Sequence, residues 1–178
     1  MIKIFNQNEC DNIEANGISN DIEDKLIRIM RDYLQSNNLV LTNNSAVKVV
    51  TNKSATSRAH EWHFDDVSII NFIVCIKGPG TEIYDPQSNQ IISLTPGYGF
   101  MVIGEEGYEF LNLIPTLHRA PVNNGESRLM AKVFLSPNFN SDESFIGNVN
   151  KYNSEGFLAN RQKITELYLK NIMELNKN

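Results

Sequence analysis

The sequence predicts a mainly β protein, a sandwich or barrel, with helices at both ends of the chain. Three observations predict it. Seven short runs rich in β-branched and aromatic residues follow one another between residues 45 and 135. Clusters of Gly, Pro, Asn and Asp separate them at roughly 8–12 residues, the spacing of sandwiches and barrels. Helical periodicity is confined to the two ends.

Each element has its own justification. Residues 19–38, SNDIEDKLIRIMRDYLQSNN, read as a helix. Ser19 or Asn20 can cap it, and Asp21, Glu23 and Asp24 sit near its positive end. Leu26, Ile27, Met30 and Leu34 recur at helical spacing. The strand runs are SAVKVVT (45–51), VSIINFIVCIK (67–77), TEIY (81–84), NQIISL (89–94), GFMVIG (99–104), YEFLNLI (108–114) and RLMAKVFL (128–135). The turns between the later ones are GPGT, DPQSN, TPGYG, GEEG and VNNGES. Residues 159–178 read as a closing helix with Ile164, Leu167, Tyr168, Ile172 and Leu175 as its apolar stripe. The 178 residues thus suit one domain: a helical segment 1–44, a β core 45–137, and a loop and helix 138–178.

Composition narrows the function. A net charge of −5 and a pI near 5.2 disfavour a nucleic-acid binder, which needs a clustered basic face. No apolar run reaches the roughly 18–20 residues of a membrane span, and the first residues lack a signal-peptide core. Two distant cysteines, with Cys75 inside an apolar run as a buried free thiol, suit a reducing cytoplasm. No Gly-rich phosphate loop and no nucleophile elbow occurs.

The chemistry gathers on few residues. The chain holds three histidines, His60, His63 and His118. In AHEWHFDDVS, His63 and Asp65 stand two apart, so an extended backbone turns both to one face. Asp66 would turn to the other face, and His60 has a spacing better suited to a helix or turn. With His118, His63 and Asp65 make two imidazoles and one carboxylate. That set fills one face of an octahedral Fe(II) and leaves three positions open. Arg128 follows His118 by ten residues and opens the last strand, where Met130, Lys132 and Phe134 share its face. An arginine turned into a β core needs a fixed anion, and a dicarboxylic cosubstrate supplies one. Asn71 has the parity of His63 and Asp65 within an apolar strand, so its amide needs partners, whether a cosubstrate, a substrate or a structural hydrogen bond.

The order His63-x-Asp65, His118, Arg128 resembles the 2-oxoglutarate- and Fe(II)-dependent oxygenase superfamily. So do TPGYGFMVIGEEG before the second histidine, LHRAPVNNGESRLMAKVFL, and the turn KGPGTEIYDP. The pair HFDD and GPGTE also resembles an uncharacterised bacterial branch. The likeness spans about residues 45–137. It implies a double-stranded β-helix, a jelly-roll or cupin-like core. It further implies Fe(II) held by His63, Asp65 and His118, and 2-oxoglutarate chelating that iron with its distal carboxylate on Arg128. O2 is then consumed, succinate and CO2 leave, and the substrate is hydroxylated. Many members carry a hydroxyl two residues after the arginine, where this chain has Met130. Thr81 is the first replacement and Tyr84 the second, and Asn71 joins them as a cosubstrate contact. His60 and Trp62 fall at the entrance as substrate contacts. Arg119 is the remaining candidate there, although a salt bridge suits it better. Segments 52–62 and 138–157 are the other substrate-facing candidates.

The expected substrate is a small molecule or an amino-acid or peptide side chain. A homodimer is compatible with the small size of the chain. Two other functions use the same residues: a cupin-like metalloenzyme without 2-oxoglutarate, and a non-catalytic β-sandwich binding module.

Overall fold

The computed structural model describes residues 1–36, 45–52, 61–65, 70–104, 114–121, 127–137, and 162, 166, 169, 170 and 173. The chain forms two units, Met1–Pro137 and Asn138–Asn178. The five described residues of the second are helical, and Gln162 donates to Glu166 one turn on. His60, Asp66, most of the run 108–114, and residues 138–157 lie outside the described residues. Among the described residues no helix is long and apolar enough to cross a membrane.

The first unit is mainly β and antiparallel. It begins with β1 (Ile2–Lys3), α1 (Gln7–Asn16) and α2 (Asn20–Ser36). The strands β2 (Ser45–Asn52), β3 (Ile70–Lys77), β4 (Glu82–Asp85), β5 (Gln90–Ser93), β6 (Tyr98–Ile103), β7 (His118–Arg119) and β8 (Leu129–Pro137) follow. One sheet has the order β1-β6-β3-β8-β2 and the other β5-β4-β7. Six of the seven sequence-read strands are therefore present.

Three elements escape the sequence reading, among them the two-residue β7 that carries His118. Strand β1 is two residues long and pairs with β6. Helix α1 opens on a capping box: the Asn6 side chain accepts from Glu9 N–H, and the Glu9 carboxylate accepts from Asn6 N–H. Its buried residues are only Cys10 and Ile13, too few to show a helical period. Helix α2 shows its period plainly, with Leu26, Met30 and Leu34 fully buried.

Alternation along the central strands divides the core. Ile70, Phe72, Val74 and Ile76 of β3 and Leu129, Ala131 and Val133 of β8 pack with the helix residues Ile13, Leu26, Met30 and Leu34. The opposite face carries Ile73, Cys75, Val102 and Met130, packed against Ile83 of the smaller sheet and against Leu94. The helices thus cover the outer face of the larger sheet. The inner face, between the sheets, is where Asn71, Lys132 and Arg128 fall by parity.

Candidate metal and cosubstrate site

Two short pairings build the metal end. His63 and His118 form an antiparallel bridge, exchanging backbone hydrogen bonds of 3.0 and 3.1 Å. His118 also pairs with Ile83 of β4. Among the described residues His63 stands in an isolated bridge and not in the regular strand that the H-x-D spacing suggests. The alternation still holds, and His63, Asp65 and His118 converge with their ligand atoms within 4.8 Å of one another.

The imidazoles are oriented by the backbone. His63 Nδ1 lies 2.7 Å from Glu61 O, and His118 Nδ1 lies 3.0 Å from Thr116 O. A carbonyl can only accept, so each Nδ1 carries the proton and each Nε2 presents a lone pair. Those nitrogens face Asp65 Oδ1 at 3.9 and 3.6 Å, beyond hydrogen-bond reach. His118 is 3% exposed, and its Nε2 has no hydrogen-bond partner among the described residues. A buried ring nitrogen with its lone pair turned to a carboxylate fits a divalent metal. Two metal–ligand bonds of about 2.0–2.2 Å bridge such gaps. Burial lowers the His63 pKa, which favours the neutral, ligating form. Burial alone would raise the Asp65 pKa. The charge of Lys132 and the hydrogen bond from the Asn71 amide act the other way and favour the ionised carboxylate.

Asn71 is fully buried, and its Nδ2 donates to Asp65 Oδ2. The bond leaves Oδ1 turned to the histidines. Asn71 is thus brought to the back of the carboxylate.

At the other end stands Arg128. Its Nε donates to Pro79 O at 3.0 Å and its Nη2 to Thr81 Oγ1 at 2.7 Å. The hydroxyl absent at Met130 is therefore met from the GPGT turn. Gly78 makes that turn with a φ of +72°. Tyr84 is buried and donates to Asn89 Oδ1 at 2.8 Å. Arg119 donates to Glu82 at 2.6 Å, and its guanidinium lies 4.6 Å over the Trp62 ring. Trp62 and Arg119 are thus brought together, flanking the histidine bridge. Cys75 is buried and free beside Arg128; burial pushes its thiol up to about 11, against the pull of that cation. Lys132 is the site residue that sequence reasoning passed over. It shares Arg128's face of β8, and its charge acts on Asp65 and Arg128. The signal was present, since Lys132 alternates with Arg128 in the last strand.

No family model and no curated protein sequence matches the chain. Solved structures do. The viral collagen prolyl hydroxylase vCPH from Paramecium Bursaria Chlorella virus-1, in its 2OG complex, aligns with a TM-score of 0.51 at 16% identity. The alignment covers 76% of this chain and 92% of that one. A truncated form of the same hydroxylase gives 0.50 at 17% identity, over 76% and 86%. Over the aligned residues the chain shares the fold of this hydroxylase. A dioxygenase for auxin oxidation from rice gives 0.49 at 15% identity, over 72% of this chain and 47% of that one. Among the described residues of this fold, those that converge are His63, Asp65 and His118. Arg128 approaches from the far end of the same sheet face.

Proposed function

We propose that this chain is a non-haem Fe(II)- and 2-oxoglutarate-dependent oxygenase, built on a double-stranded β-helix. It hydroxylates a small molecule or an amino-acid or peptide side chain. The observation that carries the reading is the buried Nε2 of His118, which has no hydrogen-bond partner among the described residues. It is turned with His63 Nε2 towards one carboxylate oxygen of Asp65.

His63, Asp65 and His118 would hold the metal, and Arg128 with Thr81 would hold the distal carboxylate of the cosubstrate. Bound iron, 2-oxoglutarate and O2 together supply the oxidation: one oxygen atom enters a substrate C–H bond, the other enters succinate, and CO2 leaves. The protein's own part is placement. Glu61 and Thr116 carbonyls fix both imidazoles with Nε2 deprotonated. Asn71 fixes the rotation of the Asp65 carboxylate, an outer contact of the kind that tunes metal affinity. Pro79 and Thr81 lock the Arg128 fork. The apolar layer of Ile73, Ile83, Val102 and Met130 keeps water from the space between the sheets.

The test is an anaerobic titration with Fe(II) and then 2-oxoglutarate, watching for the weak visible charge-transfer band of the chelate. The band should appear in the wild type and vanish in Asp65→Ala and, at matched 2-oxoglutarate, in Arg128→Ala. Metal binding without a band would favour a metalloenzyme that acts directly on its substrate. Absence of metal binding would overturn the reading.

A further inference from the structure

The inner face of the larger sheet extends to a strand the roles above do not use. Cross-strand pairing sets its rows, and residues directly opposite one another in antiparallel strands lie on one face. Asn71, whose amide holds Asp65, is opposite Phe134 of β8. Phe134 is in turn opposite Lys48 of β2. Lys48 therefore occupies the inner-face register of β2, in the row of the residue that holds the metal's carboxylate. Two interstrand spacings put it about 10 Å from Asn71, backbone to backbone. The next rows, towards Arg128, hold Lys132 and then Met130. Lys48 and Arg128 thus fall at opposite ends of this face, with Asp65 at the Lys48 end.

The charges of the face are unequal. No carboxylate occurs among the paired residues of these three rows. A divalent metal held by Asp65 and two neutral imidazoles keeps one positive charge. Together with Arg128 it offsets the two carboxylates of the cosubstrate. Lys132 and Lys48 remain beyond that balance. Cations gathered on one face repel one another, and an anion that joins them relieves the repulsion. The cosubstrate spans from the metal towards Arg128, so the end marked by Lys48 is left for the substrate. The metal ligands are open to solvent on one side, since the His63 side chain is 35% exposed and that of His118 only 3%.

We infer, resting on the oxygenase reading, that the substrate is a small carboxylic acid whose carboxylate is received by Lys48 of β2. Its reacting carbon then lies over the row of Asn71, at the metal. Arg128 selects the cosubstrate at one end of the face, and Lys48 selects the substrate at the other.

The test uses the full chain loaded with Mn(II) and saturating 2-oxoglutarate. The probes are the N-acetyl proteinogenic amino acids, each as the free acid and as the carboxamide. The readout is broadening of their proton resonances by Mn(II), which reports binding beside the metal. At least one acid should bind about tenfold more tightly than its amide, the worth of a charge-assisted contact. Lys48→Met should erase that preference, Lys48→Arg should keep it, and Lys48→Glu should favour the amide. Affinities for Mn(II) and 2-oxoglutarate should stay within a few-fold of wild type in all three, which general damage to the site would not allow. Thermal melts establish folding, and Lys48→Gln replaces Lys48→Met if the latter does not fold. The inference is overturned if no acid is preferred over its amide, in which case Lys48 only guards a sheet edge. It is equally overturned if the preference survives Lys48→Met, or if the acid is displaced by more 2-oxoglutarate. A wild-type protein that binds Mn(II) but not 2-oxoglutarate would instead overturn the oxygenase reading on which the inference rests.

Discussion

Asn71 shows how much a single buried amide decides. Its Nδ2 bonds one oxygen of Asp65, so the other is left to the histidines. Asn71→Leu keeps the volume and removes the donor. Divalent-metal affinity should fall about 10–100-fold, measured by Co(II) titration, as it does when outer contacts of metal ligands are lost. An unchanged affinity would mean that the backbone alone orients Asp65. Cys75 gives a pH prediction. Burial pushes its thiol up to about 11, so the folded protein favours the neutral form. The stability this gives is complete below the thiol's unfolded value, about 8.5. It should be lost as pH rises towards about 11, visible as a falling urea midpoint that Cys75→Ala does not share. At this scale the sequence was readable where function is local. His63 and Asp65 stand two apart, and extended backbone needs nothing more to aim them together. Thr81 was reachable as well, because the turn beside Arg128 offers a hydroxyl that Met130 lacks. The bond from Asn71 to Asp65 joins side chains six residues apart, a pairing that neither strand nor helix spacing reveals.

Turns and caps decide how the elements deliver those residues. The GPGT turn supplies both acceptors of Arg128, the Pro79 carbonyl and the Thr81 hydroxyl. Gly78 holds it at positive φ, and a Cβ there would lie 2.3 Å from Ser127 O. Gly78→Ala therefore meets both backbone strain and a collision with the segment that carries Arg128. It should destabilise the fold by about 1–3 kcal/mol, read from denaturant unfolding. It should also weaken 2-oxoglutarate binding while leaving metal affinity near wild type. Retained cosubstrate affinity would show that the turn does not set the arginine. The capping box of α1 is a smaller device. Asn6→Ala should cost about 1 kcal/mol, with no effect on metal or cosubstrate. Helix α1 also marks the limit of periodicity as a signal. Its stability comes from the cap and from two buried side chains, and a pattern of two has no measurable period. The strands were easier, because β3 buries both faces and reads as an apolar run interrupted before Ile76 only by Asn71.

For the unit as a whole, the two faces of the larger sheet carry separate tasks. The outer face spends its apolar residues on α1 and α2, and the inner face carries the buried Asn71 and the half-buried Lys132. The sequence could announce a β core with helices at its ends, since that follows from alternation and turn residues. It could not announce which helix covers which face, since that depends on how distant strands pair. This division makes stability depend on ligands. The two sheets together hold an imidazole nitrogen of His118 with no hydrogen-bond partner among the described residues and the cations Arg128 and Lys132, groups that cost folding free energy when nothing binds them. A metal that needs the bridged His63–His118 pair binds the folded chain alone. At a free concentration one hundred times its dissociation constant it should add about 2.7 kcal/mol. For a chain of this size that corresponds to a rise in Tm of roughly 5–10 °C. The shift should be absent in Asp65→Ala and preserved in Asn6→Ala, because the first removes a ligand and the second only weakens the frame. A chelator should return the wild type to its metal-free midpoint. Equal midpoints with and without saturating metal would mean that the three side chains converge without forming a site, and the oxygenase reading would lose its foundation.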